Sequence, residues 1–115
     1  VCQPTVVENL HVLTSGPKPP NPSELLGSQR MNQVIAELKQ AYDIIIFDMP
    51  PVITVTDAQI MASKVDGTLL VIRENVTNKE SVMKAKEALI LVKAHILGTV
   101  YNGATQAKDQ GYYYN

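Results

Sequence analysis

The feature that most constrains the fold of this chain is a short apolar run that ends on a carboxylate. The run Ile44–Phe47 follows Asp43 and leads directly into Asp48, with prolines at positions 50 and 51. An apolar run of this length with such flanks is typical of a strand buried on both faces, in the centre of a parallel sheet. Asp48 then lies at the C-terminal edge of the sheet, where open α/β sheets bind their ligands.

Two interpretations of Asp48 are open at this point. An aspartate at the end of a buried strand has the form of a Walker B motif, in which the carboxylate helps hold a magnesium ion beside nucleotide phosphates. The alternative is that Asp48 only ends the strand and begins a turn. The prolines after it predict a rigid exit from the sheet, because proline fixes φ and lacks a backbone donor.

Helical and strand patterns alternate through the rest of the chain. Helices are predicted after the cap residue Ser28, after Thr56 or Asp57, and after Thr77, which forms a capping box with Glu80. A short helical turn capped by Ser23 precedes them, and strands are predicted over 10–14, 44–48, 68–73 and 96–101. Because strands that alternate with helices are joined by crossovers, the pattern predicts an α/β fold with a parallel sheet.

Composition limits the kind of partner and site. The 115 residues suit one domain or part of one. A net charge of -1 and an aromatic content of 5% without tryptophan argue against nucleic acid as a partner. The single Cys2 suits a reducing cytoplasm, and His11 and His95 have no partner at the spacing of zinc ligands. No apolar run approaches the ~18–20 residues of a membrane span.

Three polar residues are candidates for chemistry near Asp48. Arg73 ends one predicted strand and Asn102 follows the next, so both are expected at the same edge of the sheet as Asp48. An asparagine amide can pair with an adenine edge, and Arg73 can contact a nucleotide or an acidic group. Asn102 with Gly103 also fits a simple turn, and Arg73 also fits a solvated strand end. Asp57 is predicted as a helix N-cap rather than as a second carboxylate of the site.

The C-terminal segment is polar and has three consecutive tyrosines, Tyr112, Tyr113 and Tyr114, directly before its last residue. It has neither a helical nor a strand period, so we predict a folded unit over 1–106 and a flexible tyrosine-rich tail over 107–115. An accessible tyrosine can accept a phosphoryl group, which adds roughly -1.5 to -2 charges at neutral pH. The alternative is a sticky terminus that contacts a partner.

Several segments match one protein family in order along the chain. They are Asn9–Pro17, Pro20–Leu26, Tyr42–Pro51, Val71–Arg73, Gly98–Asn102 and the tyrosine-rich end. In these segments the sequence resembles the bacterial tyrosine kinases (BY-kinases) of capsule and exopolysaccharide synthesis. The Pro-Asn-Pro-Ser-Glu-Leu-Leu stretch followed by the Walker B pattern separates this family from the related partitioning and division-site ATPases.

The resemblance implies a three-layer P-loop NTPase-like fold, with a parallel sheet and flanking helices, that uses ATP and Mg²⁺ to phosphorylate protein tyrosines. It implies that Asp48 is the Walker B residue of the magnesium site and that Asn102 lies near the adenine. It implies that Tyr112, Tyr113 and Tyr114 are autophosphorylation sites. It further implies self-association into a ring, a membrane adaptor for polysaccharide export, and a peripheral place at the inner face of the plasma membrane.

One part of the family pattern is missing from this sequence. No glycine-rich loop ending in Lys-Ser or Lys-Thr occurs in it, and that loop provides the backbone donors and the lysine that hold ATP phosphates. Since the chain begins with Val1, we expect the C-terminal part of a kinase domain, with a sheet incomplete at the N-terminus and no activity alone. Two other hypotheses stay open. One is a partitioning- or division-site-type P-loop ATPase, and the other is a non-catalytic interaction module.

Overall fold

The computed structural model describes residues 1–105. In chain order, their elements are β1 (Gln3–Pro4), β2 (His11–Val12), α1 (Pro22–Leu26), α2 (Gln29–Ala41), α3 (Asp57–Ala62), β3 (Thr68–Arg73), α4 (Lys79–Leu91) and β4 (Ile96–Asn102). The predicted strand over 68–73 is confirmed, and the one over 96–101 extends one residue further. The predicted strand over 10–14 shortens to β2, which pairs with β1 in a small antiparallel sheet.

Strands β3 and β4 form a parallel pair, as the alternation of helices and strands predicts. Thr68 pairs with Ile96, and from Leu69 the register runs regularly to Arg73, which lies opposite Asn102. The register shifts once, between Thr68 and Leu69, where β4 contributes one extra residue. Helix α4 connects the two strands, so this unit confirms the α/β class of the fold.

The segment over 44–48 is the main departure from the predicted fold. No strand of residues 1–105 pairs with it, although its side chains alternate in exposure with the period of a strand. Ile44 is 80% exposed and Ile46 is 86% exposed, so the prediction of a strand buried on both faces is wrong here. Burial on both faces needs neighbouring strands and covering helices, and residues 1–105 place no strand beside this segment.

The core of the described residues is small. Its buried side chains are Met61 and Ala62 of α3 and Ala85 and Leu89 of α4. Helix α3 packs against α4 and also against α1. Leu69 and Val71 of β3 are each 57% exposed, while the residues between and after them are half-buried. One face of the strand is therefore covered and the other is open.

Side-chain caps fix where two helices begin. The Ser28 hydroxyl accepts a hydrogen bond from a backbone amide three residues on, at 3.2 Å, which confirms Ser28 as the N-cap of α2. Helix α4 is capped by Asn78, whose Oδ1 accepts from the Ser81 amide at 2.7 Å. The predicted cap at Thr77 is therefore wrong by one residue. The Thr77 hydroxyl instead accepts from the Arg73 amide at 3.0 Å, which closes the turn after β3.

Replacing Asn78 by Ala removes the acceptor at the start of α4. We expect the free energy of unfolding to fall by about 1 kcal/mol, because an orphan backbone donor of the first turn loses its partner. Urea denaturation followed by far-UV circular dichroism measures the change. Asn21→Ala is the control, since Asn21 lies at the N-cap of α1 without a side-chain cap bond. Equal losses for the two variants would contradict the assignment of Asn78 as a cap.

Candidate functional site

Arg73 and Asn102 lie together at the carboxyl end of the parallel pair. Their Cα atoms are partners in the register, and both side chains are exposed. The backbone amide of Glu74 donates to the Asn102 carbonyl at 3.0 Å, so the pairing continues one residue past β3. The edge therefore presents a guanidinium and an amide side by side, and their binding of a nucleotide stays a prediction.

Asp48 lines an open groove of about 1000 Å³. One wall of this groove is the segment Ile44–Thr54, and another is β3 from Thr68 to Ile72, with side chains of α3 and α4 between them. Most of the lining residues are apolar, whereas the Asp48 carboxylate is exposed. The structure thus brings Asp48 and β3 to the same groove without an intervening strand among residues 1–105.

Ser23 and Asp57 form a contact that their sequence patterns do not predict. The Ser23 hydroxyl donates to Asp57 Oδ1 at 2.8 Å and lies 2.8 Å from the Thr56 hydroxyl. Ser23 lies inside α1, and Asp57 is the first residue of α3, after Thr56 at the N-cap position. The predicted N-caps Ser23 and Asp57 are therefore wrong, whereas the alternative Thr56 is the N-cap residue of α3, without a side-chain cap bond. Ser23, Thr56 and Asp57 line, together with Lys18, a separate cavity of about 510 Å³. The hydrogen bonds of Ser23 hold the end of the loop that begins with the prolines after Asp48.

His11 also has a partner that its spacing in the sequence does not reveal. Its Nδ1 lies 2.8 Å from the Tyr42 hydroxyl, and the two rings meet edge to face with centroids 5.5 Å apart. A hydrogen bond with the Cys2 side chain, together with partial desolvation, raises the pKa of Tyr42. The contact joins the small β1–β2 sheet to the end of α2, directly before the segment that leads to Asp48.

Glu74 is a further polar residue at the edge formed by Arg73 and Asn102. One carboxylate oxygen accepts from the Thr105 backbone amide at 2.7 Å, and the other accepts from the Tyr101 hydroxyl at 3.3 Å. Hydrogen bonds from the backbone and the side chain of Thr105 lower the pKa of Glu74, against a smaller opposing effect of desolvation. No local pattern predicts these contacts, because they join residues about thirty positions apart.

Two absences among residues 1–105 bear on the site. No group of three or more His, Cys, Asp or Glu side chains that could hold a metal ion occurs in these residues. One carboxylate is still compatible with Mg²⁺, which proteins bind through one or two carboxylates together with phosphate oxygens and water.

None of the described helices is long and apolar enough to cross a membrane. The predicted acceptors Tyr112, Tyr113 and Tyr114, with the proposed tail over 107–115, lie outside the described residues.

Known proteins of similar sequence are tyrosine kinases. The chain is 49% identical over 108 residues to the Bacillus subtilis tyrosine-protein kinase YwqD, covering 92% of this chain and 46% of that protein. It is 47% identical over 110 residues to the putative tyrosine-protein kinase CapB of Staphylococcus aureus, covering 96% of this chain and 48% of that protein. A search against protein-family models finds no match.

Solved structures give the same result. The chimerical protein CapA2B2 superposes with a TM-score of 0.86 at 40% identity, covering 90% of this chain and 46% of that one. The kinase domain of VpsO superposes with a TM-score of 0.76 at 33% identity, covering 83% of this chain and 47% of that one. The chain therefore belongs to the bacterial tyrosine-kinase family, and it spans about half the length of the curated relatives YwqD and CapB.

Proposed function

We propose that this chain is the C-terminal part of the catalytic domain of a bacterial tyrosine kinase. The complete protein transfers the γ-phosphate of ATP to protein tyrosines in the control of capsule or exopolysaccharide synthesis. The observation that carries the proposal is the 49% identity to a tyrosine-protein kinase over 92% of this chain. The geometry supports it, since Asp48 shares a groove with β3, and Arg73 and Asn102 lie where β3 and its neighbour end.

The groove between segment 44–48 and β3 is proposed as the place of one further strand of a P-loop-type sheet. The side chains of segment 44–48 alternate in exposure as those of a strand do, yet no strand within residues 1–105 pairs with this segment. Among the same residues, β3 pairs only with β4, so its other edge is open. A strand in the groove would satisfy both free edges and cover exposed apolar side chains such as Ile46. Its end would lie beside Asp48, which is where a phosphate-binding loop is needed.

Asp48 is proposed as the magnesium-site residue, and Arg73 and Asn102 as residues that face the nucleotide. The Asp48 carboxylate is exposed and so is free to take a hard cation together with phosphate oxygens. When bound, Mg²⁺ neutralises charge that develops on the phosphate oxygens during transfer. The Asn102 amide offers a donor and an acceptor to a base edge, and Arg73 offers its cation to an anionic group.

Tyr112, Tyr113 and Tyr114 are proposed as the acceptors, phosphorylated between neighbouring subunits of a ring. Each phosphate adds roughly -1.5 to -2 charges, so several in one segment repel their counterparts on adjacent subunits and disfavour the ring. A membrane adaptor is the proposed partner, which would hold the kinase at the inner face of the plasma membrane. Size-exclusion chromatography before and after phosphorylation tests the ring, and a shift to smaller species is expected.

The experiment that tests the function completes the domain. This chain is joined to the remaining part of the Bacillus subtilis relative YwqD, and the joined protein is incubated with ATP and Mg²⁺. Phosphotyrosine is located by mass spectrometry, and this chain alone serves as the control. We expect ATP-dependent phosphotyrosine at positions 112–114 in the joined protein and none with this chain alone.

Other results would favour the other hypotheses. Hydrolysis of ATP without phosphotyrosine would indicate an ATPase of the partitioning or division-site type. A joined protein that neither binds nor hydrolyses ATP, while this chain alone binds the intact relative without ATP, would indicate an interaction module. Either result would overturn the proposed kinase function.

A further inference from the structure

The turn after β3 holds Glu74 against the chain that leaves β4. Asn75 has a φ of 61°, in the left-handed region that asparagine tolerates better than most residues. The Thr77 amide donates to the Arg73 carbonyl at 2.9 Å, and the Thr77 hydroxyl accepts from the Arg73 amide at 3.0 Å. These two bonds join both ends of the turn. They fix the backbone of Glu74 independently of the contacts that its side chain makes.

The chain after β4 turns back to meet this carboxylate. Gly103 has a φ of 68°, a conformation that glycine adopts without strain, and it follows Asn102 directly. Two residues later, the Thr105 amide donates to Glu74 at 2.7 Å. The Tyr101 hydroxyl donates to the other oxygen of the same carboxylate at 3.3 Å. One oxygen of Glu74 therefore binds β4 through Tyr101, and the other binds the chain after β4 through Thr105.

We propose that Glu74 is an anchor for the C-terminal segment, which holds the chain at Thr105 and thereby positions the following tyrosines as phosphate acceptors. This inference rests on the proposed function, because it takes these tyrosines to be the acceptors. Glu74 acts through the tail and touches no reacting atom, so it is a positioning residue. Its importance follows from covalent geometry, which limits how far an acceptor can lie from the last fixed point of the chain.

The anchor changes the reach of the acceptors. From Thr105 to Tyr112 the chain can extend at most about 25 Å, at ~3.6 Å per residue. If the chain is held only as far as Asn102, the same calculation gives about 36 Å. The effective concentration of a tethered group falls roughly as the −3/2 power of the tether length. Loss of the bond between Thr105 and Glu74 therefore lowers the effective concentration of the tyrosines about 1.7-fold.

The bond itself is tested on this chain by NMR. The Thr105 amide proton is expected to shift with the titration of Glu74, because its chemical shift responds to the charge of the acceptor. The titratable group that faces Glu74 from β4 is Tyr101, which keeps its proton in the acid range. Since the pKa of Glu74 is lowered on folding, the anchor is complete above its ordinary value of 4.5 and is lost as pH falls through the lowered value. A Thr105 amide that does not follow Glu74 would overturn the anchor.

The positioning role is tested in the joined kinase described above. Glu74→Ala should lower phosphorylation of Tyr112–Tyr114 about 1.7-fold through the loss of effective concentration, while phosphorylation of an added tyrosine peptide stays unchanged. Glu74→Gln keeps an acceptor oxygen for Thr105 and is expected to lie between Ala and wild type. Glu87→Ala is the matched control, because Glu87 is an exposed residue of α4 whose removal changes the charge equally.

The outcomes separate the two claims. If wild type phosphorylates the added peptide but Glu74→Ala and Glu87→Ala give equal tail phosphorylation, the positioning role is wrong and the proposed function stands. If Glu74→Ala lowers peptide and tail phosphorylation equally, Glu74 is merely structural and the inference is wrong. If wild type makes no phosphotyrosine at all, the proposed function fails, and with it the positioning role, whatever the Thr105 titration shows.

Discussion

Asp48→Asn is expected to lower ATP-dependent tyrosine phosphorylation by the joined kinase about a hundredfold or more. A bound metal ion provides several kcal/mol of charge stabilisation in the transition state, and each 1.36 kcal/mol changes the rate tenfold. Asparagine keeps the size of the side chain but lacks the charge that holds Mg²⁺. Because Asp48 is exposed, the substitution should leave the fold intact. Initial rates of phosphotyrosine formation at saturating ATP and Mg²⁺ measure the effect.

The matched control for this prediction is Asp43→Asn. Asp43 is also exposed and lies at the other end of the same apolar run, so it has the same charge and a similar local sequence. Its substitution should change the rate less than about twofold, in line with the small effect of isolated surface charges. Near-wild-type activity of the Asp48→Asn variant would remove Asp48 from the site, whereas equal losses for both variants would indicate a general charge effect.

Leu89→Ala is expected to abolish cooperative unfolding of this chain. Leu89 is 2% exposed and belongs to a core of four buried side chains among the described residues. Large-to-small changes at such positions cost about 2–5 kcal/mol, because transfer energy is lost and a cavity remains. Complete domains have only ~5–15 kcal/mol of stability, and a core this small gives less. Far-UV circular dichroism during urea denaturation should show no sigmoidal transition for the variant.

Leu91→Ala provides the comparison on the same helix. Leu91 lies two residues further along α4 and is 82% exposed, so its truncation removes little buried surface. The change in the free energy of unfolding should stay within about 0.5 kcal/mol. If the two variants unfold alike, the face of α4 assigned to the core is wrong. If Leu89→Ala keeps a sharp transition near the wild-type midpoint, other contacts dominate the stability of this chain.

Several features of this protein are determined by short stretches of sequence. Strand β3 has the predicted bounds, and α2 begins at the predicted cap Ser28. These signals are local, since a cap bond joins residues three positions apart and a strand pattern repeats every second residue. The parallel pairing of β3 with β4 also follows from the order of elements, because a helix between two strands brings the second back beside the first.

Other features of this protein depend on contacts between distant residues. Segment 44–48 has the apolar composition of a buried strand, but pairing needs a neighbour, and residues 1–105 leave it unpaired. Ser23 and Asp57 have good cap chemistry, yet they bond to each other across 34 positions. Glu74 has no sequence signal, and only the turn at Gly103 brings Thr105 to its carboxylate. Sequence periodicity thus determined which residues form helices and strands. Long-range hydrogen bonds determined which polar groups meet, because those contacts depend on chain reversals that no single segment encodes.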